Sequence, residues 1–226
     1  MTRPEPLLVA RGISRRFGYR NVIENVSFEV GGGEVLLLIG HNGAGKTTLI
    51  RLLAGLLEPS RGTVSRSESF GVVMHDSMLY DSLSARENLQ FFGRLHGKSD
   101  AVHLADLLER VGLEEHADRR VATYSRGMVQ RLTLARSLLP DPDLLLLDEP
   151  LTGLDDTASG MVRGILSAFR EKNRGVVLTT HQLADVVDLA SEVGYMVAGR
   201  VRAIEPIDGR DAQAIKARYR ELAQNV

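Results

Sequence analysis

The stretch Leu36-Leu37-Leu38-Ile39-Gly40-His41-Asn42-Gly43-Ala44-Gly45-Lys46-Thr47-Thr48 constrains this chain more than any other. An apolar run of strand length gives way to a glycine-rich loop, and near Lys46 to a helix. The pattern G-x-x-x-x-G-K-[ST] is complete from Gly40 to Thr47, in the strand–loop–helix context that such a loop requires. Its glycines let the backbone bend so that successive N–H groups point inward, and the helix N-terminus adds partial positive charge. That is a cradle for phosphate. Lys46 would reach the β- and γ-phosphates of a nucleotide, and the Thr47 hydroxyl would ligate Mg²⁺.

The remaining chain is read around this loop. Its 226 residues suffice for one substantial core or two small domains. A net charge of −1 gives no global electrostatic case for nucleic acid or an anionic membrane, and no nucleic-acid partner is expected. The absence of cysteine excludes disulfides, thiolate metal sites and a cysteine nucleophile. The start, Met1-Thr2-Arg3-Pro4-Glu5-Pro6, lacks the apolar core of a secretory signal. Runs such as Val35–Ile39 and Leu144–Leu147 are far shorter than the about 20 residues that cross a bilayer. Action at a membrane would need another chain to span it.

Short strands are expected at Leu7–Ala10 and Val26–Val30, a core strand at Glu34–Ile39, and a buried helix over Thr48–Leu57 punctuated by Pro59 and Gly62. Two further strands follow, at Thr63–Ser65 and Gly71–Met74. From Asp76 to about Leu139 the pattern turns helical. Ser84-Ala85-Arg86-Glu87 reads as a capping box, Ser99 as a cap for Asp100–Val111, and Ser125 as a cap for a helix to about Leu139. This block reads as a helical subdomain, at about residues 76–139, inserted into an α/β core. The core resumes with Asp143–Leu147, the helix Asp156–Lys172, the strand Gly175–Thr180, a helix over Gln182–Ala190 and a hairpin of Val193–Val197 with Val201–Ile204. A short polar helix over Asp211–Ala223 forms a tail. The fold class expected is α/β, with a parallel P-loop core, an N-terminal antiparallel β-subdomain and the inserted helices. Residues 1–205 would form one globular unit and 206–226 the tail.

Three constellations carry chemistry. Leu144–Leu147 precede Asp148-Glu149-Pro150, which places two carboxylates just past a core strand, where ligands sit in open α/β sheets. Asp148 suits the acid that holds hydrated Mg²⁺, and Glu149 is placed to polarise an attacking water as general base. His181 ends another core strand, where an imidazole can donate a hydrogen bond to a transferring phosphoryl group. Tyr124-Ser125-Arg126-Gly127-Met128 supplies a second helix N-terminus suited to anions. One small nucleotide does not need two such sites from one chain, so this one is expected to bind phosphate held by another subunit.

Together these residues resemble the nucleotide-binding subunit of ATP-binding cassette (ABC) transporters, in the family's order from about Leu7 to Ile204. Gly40–Thr47 is similar to Walker A, Leu144–Glu149 to Walker B and Tyr124–Met128 to the signature motif. Leu151-Thr152-Gly153-Leu154-Asp155 resembles the D-loop and His181 the switch histidine. The resemblance implies that Phe17 stacks on adenine, with Tyr19 an alternative by register. It implies nucleotide contacts from Gly40, His41, Asn42, Gly43, Ala44, Gly45, Lys46, Thr47, Thr48, Ser125, Gly127 and Asp155, with Lys46, Glu149, His181 and His75 in catalysis. Metal would be held by Thr47, Asp148 and His75. It further implies a head-to-tail homodimer or heterodimer with two ATP molecules and Mg²⁺ at the interface. That dimer would sit on the cytoplasmic face of a membrane, coupled through about His75–Phe92 to a membrane-spanning transporter subunit.

Two positions depart from the family pattern. His75 stands where the family has a glutamine that contacts Mg²⁺ and the attacking water. An imidazole can do this only when neutral, so turnover is expected to fall more steeply in mild acid than in a glutamine-bearing relative. The signature L-S-G-G-Q is replaced by Tyr124-Ser125-Arg126-Gly127-Met128, keeping the two small positions and requiring Arg126 to point away from the nucleotide. His75 and the short chain favour the heme exporter of cytochrome c maturation. The signature and the following Gln130-Arg131-Leu132 look more like multidrug and polysaccharide export ATPases. Other classes fit less well. There is no N-K-x-D guanine-reading motif, no long coiled-coil insert and only one phosphate loop.

Overall fold

The computed structural model describes residues 5–181 and 183–224. The first four residues, Gln182 and the last two lie outside that range, including part of the start read above for a leader. Two sheets form the frame. β1 (Leu8–Phe17), β2 (Arg20–Val30) and β4 (Arg61–Arg66) make a three-stranded antiparallel sheet in the order β2-β1-β4. The second sheet has the order β5-β6-β7-β3-β8-β9. Its members are β3 (Val35–Ile39), β5 (Phe70–Val73), β6 (Leu144–Asp148), β7 (Gly175–Thr179), β8 (Glu192–Val197) and β9 (Arg200–Pro206). The first five strands in that order run parallel and β9 closes the edge antiparallel.

Every residue of β3, β6 and β7 is buried, as expected of parallel strands covered on both faces. Alternation then decides what each side chain packs against. Leu145 and Leu147 join Leu37 and Leu178 in a cluster that continues into Leu89, Leu104, Leu107 and Leu132 of the helices. Leu144 and Leu146 turn the other way with Leu36 and Leu38, against Leu49, Leu52 and Leu53 and the antiparallel sheet residues Ile13 and Val26. A run of four leucines thus serves two cores at once. Truncating any one of them to alanine would cost about 2–5 kcal/mol.

The helices follow their caps. α1 (Lys46–Leu53) begins at the phosphate loop. It ends earlier than the apolar run suggests, because the chain leaves it through Gly55 at φ 71°, and Leu56 is exposed. α2 (Ala85–Leu95) starts at the expected capping box: Ser84 Oγ accepts the Glu87 N–H and Glu87 Oε2 accepts the Ser84 N–H. α3 (Ala101–Arg110) is capped by Asp100 rather than Ser99, the carboxylate accepting the His103 N–H at 3.0 Å. α4 (Arg126–Leu138) is capped by Ser125 and α5 (Asp156–Glu171) by Asp155. α4 reaches from α2 and α3 to the sheet, where Arg136 donates to the Val72 carbonyl.

The helix expected over Gln182–Ala190 is absent from its described part. Leu183–Asp185 is a single 3₁₀ turn, and the Arg163 guanidinium takes both the Asp185 carbonyl and the Asp188 carboxylate. The Leu189 N–H correspondingly bonds the Val186 carbonyl, three residues back, in place of the four-residue spacing of an α-helix. α6 (Ala212–Gln224) forms the tail. Among the described residues no helix is long and apolar enough to cross a membrane.

Candidate active site

The strand order assembles the site. β6, β7 and β3 are adjacent, so the carboxylates after β6, His181 beyond β7 and the loop after β3 share one rim. β5 lies on the far side of β6, with Val73 beside Leu147, and this carries His75 to the same rim.

The loop is shaped by close packing. A Cβ on Gly40 would lie 2.5 Å from the Met196 carbonyl oxygen. Gly45 caps α1 at φ 102°, where a Cβ would also meet the Val22 carbonyl oxygen at 2.9 Å. Lys46 folds back over the loop, with Nζ 2.7 Å from the Gly40 carbonyl oxygen and 3.3 Å from that of His41. Burial lowers its pKa, while the charges of Glu149 and Asp148 oppose that shift. Beside it lies a cavity of about 400 Å³ lined by Asn42, Gly43, Gly45, Lys46, Thr47, Thr48 and Glu149, with Arg20 and Val22 of β2. An ammonium, a helix N-terminus and glycine backbone around one cavity fit an oligophosphate.

The carboxylates are fixed differently. Asp148 is only 4% exposed, and its Oδ1 accepts the Thr179 hydroxyl at 2.7 Å. Glu149 takes the left-handed conformation at φ 53°, uncommon for such a residue and a form of strain found at functional sites. Its N–H is shared between the carbonyl and hydroxyl oxygens of Thr179, both at 3.1 Å. Glu149 Oε2 accepts the Thr152 hydroxyl at 3.1 Å and lies 2.8 Å from His181 Nδ1. Glu149 and the histidine at the next strand end are therefore in direct contact.

Among the described residues no group of three or more His, Cys, Asp or Glu could hold a metal. Mg²⁺ is usually bound by one or two carboxylates together with substrate phosphates. Asp148, with Thr47 lining the cavity, fits an ion of that kind.

His75 is exposed and lines a crevice of about 70 Å³ with Asp148, Glu149, Ser77 and Arg126. Arg126 turns toward its own chain, where a Cβ on Gly153 would meet its Cδ and Nε at 3.3 Å. Ser125 Oγ accepts the Met128 N–H at 3.2 Å and keeps its own proton free to donate. Asp155 caps α5 through the Ala158 N–H at 2.8 Å. Phe17 is 48% exposed at the end of β1, under the Arg15 guanidinium at 4.7 Å, and Tyr19 is fully exposed. Neither Phe17 nor Tyr19 lines the large cavity, and neither do Ser125, Gly127 and Asp155. Thr179, Arg20 and Val22 carry no motif in the sequence, and Thr152 stands there only within the D-loop stretch, with no bond to Glu149 expected. A threonine at the end of an apolar strand was the only signal for the first.

A phosphate loop flanked by a buried aspartate, a strained glutamate and a histidine is the arrangement of a nucleotide-hydrolysing P-loop protein. The chain belongs to the ABC transporter family, whose model matches residues 23–152. It is 36% identical over 208 residues to the ABC transporter ATP-binding protein NatA of Bacillus subtilis (strain 168), covering 83% of this chain and 85% of that protein. It is 38% identical to the Nod factor export ATP-binding protein I of Burkholderia lata, covering 84% of this chain and 67% of the relative. A solved ATP-binding subunit of an ABC transporter superposes with a TM-score of 0.87 at 31% identity, covering 96% of this chain and 99% of that one. The chain is thus an ABC-type ATP-binding domain of a family that hydrolyses ATP in transporters.

Proposed function

We propose that this chain is the ATPase subunit of a membrane exporter, and that it acts as one of a pair. The observation that carries the pairing is the lining of the phosphate cavity. Lys46, Thr47 and Glu149 are there, while Ser125 and Gly127 are not. Each ATP would lie between the loop of one subunit and Ser125–Gly127 of the other. Residues 1–205 would form the ATPase unit, with the helical part near 76–139 facing a membrane-spanning partner on the cytoplasmic side. Residues 206–226 would form the tail.

In this reading the loop amides and Lys46 bind the phosphates, and Lys46 exchanges its carbonyl partners for phosphate oxygens. Mg²⁺, held by Thr47 and Asp148 with His75 nearby, would neutralise charge on the phosphates. Glu149 takes a proton from the attacking water. His181 holds Glu149 in the resting arrangement and donates to the phosphoryl oxygens during turnover. The Ser125 hydroxyl, with its proton unspent, donates to the phosphate presented by the other subunit.

Two cargo readings compete. The signature and the Nod factor export relative favour a polysaccharide or multidrug type of exporter. A histidine at position 75, in place of the family's glutamine, is the ground for the heme-export reading. Affinity purification from native membranes, with identification of the spanning subunit, separates them.

The pairing is tested by sedimentation of Glu149→Gln with ATP. A dimer is expected, and Ser125→Asp added to that variant should abolish it. Aspartate is as good a helix cap as serine, yet it sets a negative charge against phosphate. Monomers in both variants would overturn the composite site.

A further inference from the structure

The geometry points to Tyr219 of the tail as a positioning residue for the phosphate loop, so that the tail forms part of the nucleotide machinery. Its hydroxyl oxygen accepts the backbone N–H of His41, the second residue of the loop, at 3.1 Å. The two rings meet edge to face, with centroids 5.0 Å apart. The carbonyl of the same residue is held from the other side, by the Ala44 N–H at 3.0 Å and by Lys46 Nζ at 3.3 Å. His41 is therefore pinned at both ends of its backbone. When Lys46 turns to phosphate, one of the inner ties is released, and the tail's hydroxyl becomes the principal outer one.

The tail is built to keep that hydroxyl in place. Asp211 Oδ1 accepts the Ala214 N–H at 2.8 Å and caps the helix. Ile215 and Tyr219, four residues apart and so on one face, are the buried residues of α6. Glu205 on β9 takes Arg210 and Arg218 together, fixing both ends of the connection. A cavity of about 270 Å³ beside Tyr219 is bordered by His41, Thr180, His181, Lys216 and Arg220, so the same helix face reaches both the loop and the histidine at the end of β7.

This inference rests on the chain being an ATPase. Tyr219→Phe keeps the ring and its packing and removes only the acceptor. Loss of one such hydrogen bond corresponds to roughly a two- to tenfold change in an equilibrium. We expect KM for ATP and the dissociation constant of a fluorescent ATP analogue to rise by that factor, with kcat unchanged. His41→Ala removes the ring but keeps the N–H, so adding Tyr219→Phe to it should weaken affinity by the same factor. A purely structural role for the tail would instead lower the melting temperature and the active fraction, with KM constant. Unchanged affinity in a folded Tyr219→Phe protein would overturn the inference. Absence of turnover in the unaltered protein would instead sink the ATPase reading.

Discussion

Thr179→Val removes one buried hydroxyl and little else, and its consequences follow from two distances. The Thr179 hydroxyl donates to Asp148 Oδ1 at 2.7 Å and accepts the Glu149 N–H at 3.1 Å. The side chain is fully buried and Asp148 is 4% exposed, so water has little access to replace the lost donor. The Glu149 N–H keeps the Thr179 carbonyl and the second loss is mild. The first is a hydrogen bond to a charged group, worth about 2 kcal/mol. For a chain of this size that corresponds to a melting point lower by about 4–8 °C. Glu149 also loses one of the contacts that hold it at φ 53°, a conformation costing about 1–3 kcal/mol that its surroundings must sustain. Turnover should therefore fall by about tenfold, the equivalent of roughly 1.4 kcal/mol in the barrier, with KM for ATP little changed, since the loop residues are untouched. Thermal unfolding and steady-state ATPase assays on Thr179→Val and Thr179→Ser suffice. Serine keeps the hydroxyl and should recover most of both losses. A Thr179→Val protein that melts within about 1 °C of the unaltered chain and turns over normally would refute the reasoning.

Two further outcomes are expected. Gly45→Ala places a Cβ 2.9 Å from the Val22 carbonyl oxygen at φ 102°, so it should lower stability by at least about 1–2 kcal/mol and abolish ATP binding measured by calorimetry. The Glu205 carboxyl is held below its ordinary value by hydrogen bonds from Arg218 and then Arg210. Its stabilising contribution is complete above the ordinary value of 4.5 and is lost as pH falls through the lower folded value. The Ile215 methyl NMR signals should report loosening of α6 on acidification, and Glu205→Gln should show the loosened signals already at neutral pH.

The central strands were legible because buried parallel strands need unbroken apolar runs, and Val35–Ile39 and Leu144–Leu147 have them. The phosphate loop and the caps at Ser84 and Ser125 were legible because each ties a residue type to a local backbone geometry. The long hairpin of β1 and β2 was not. Its register shifts between Ala10 and Ile13, and again between Ile13 and Arg15, so the in–out alternation that marks a strand is scrambled there. The adjacency of β6, β7 and β3 is equally invisible, since strand order depends on pairing between distant segments. It is this order that brings Glu149 to His181. The tail read as a polar helix, although Ile215 and Tyr219 at helical spacing were a signal for a docked face. The Thr152 hydroxyl on Glu149 depends on the turn after Pro150, and no pattern in the sequence announces it.

The central claim is that Glu149 is the base of an ATP-hydrolysing site whose phosphate cradle is the Gly40–Thr48 loop. Its most direct test is single-turnover hydrolysis by Glu149→Gln alongside ATP binding to the same protein. The account predicts turnover reduced by about 10²–10⁴-fold with ATP bound at least as tightly as by the unaltered chain. Hydrolysis retained at the original rate in Glu149→Gln would contradict it.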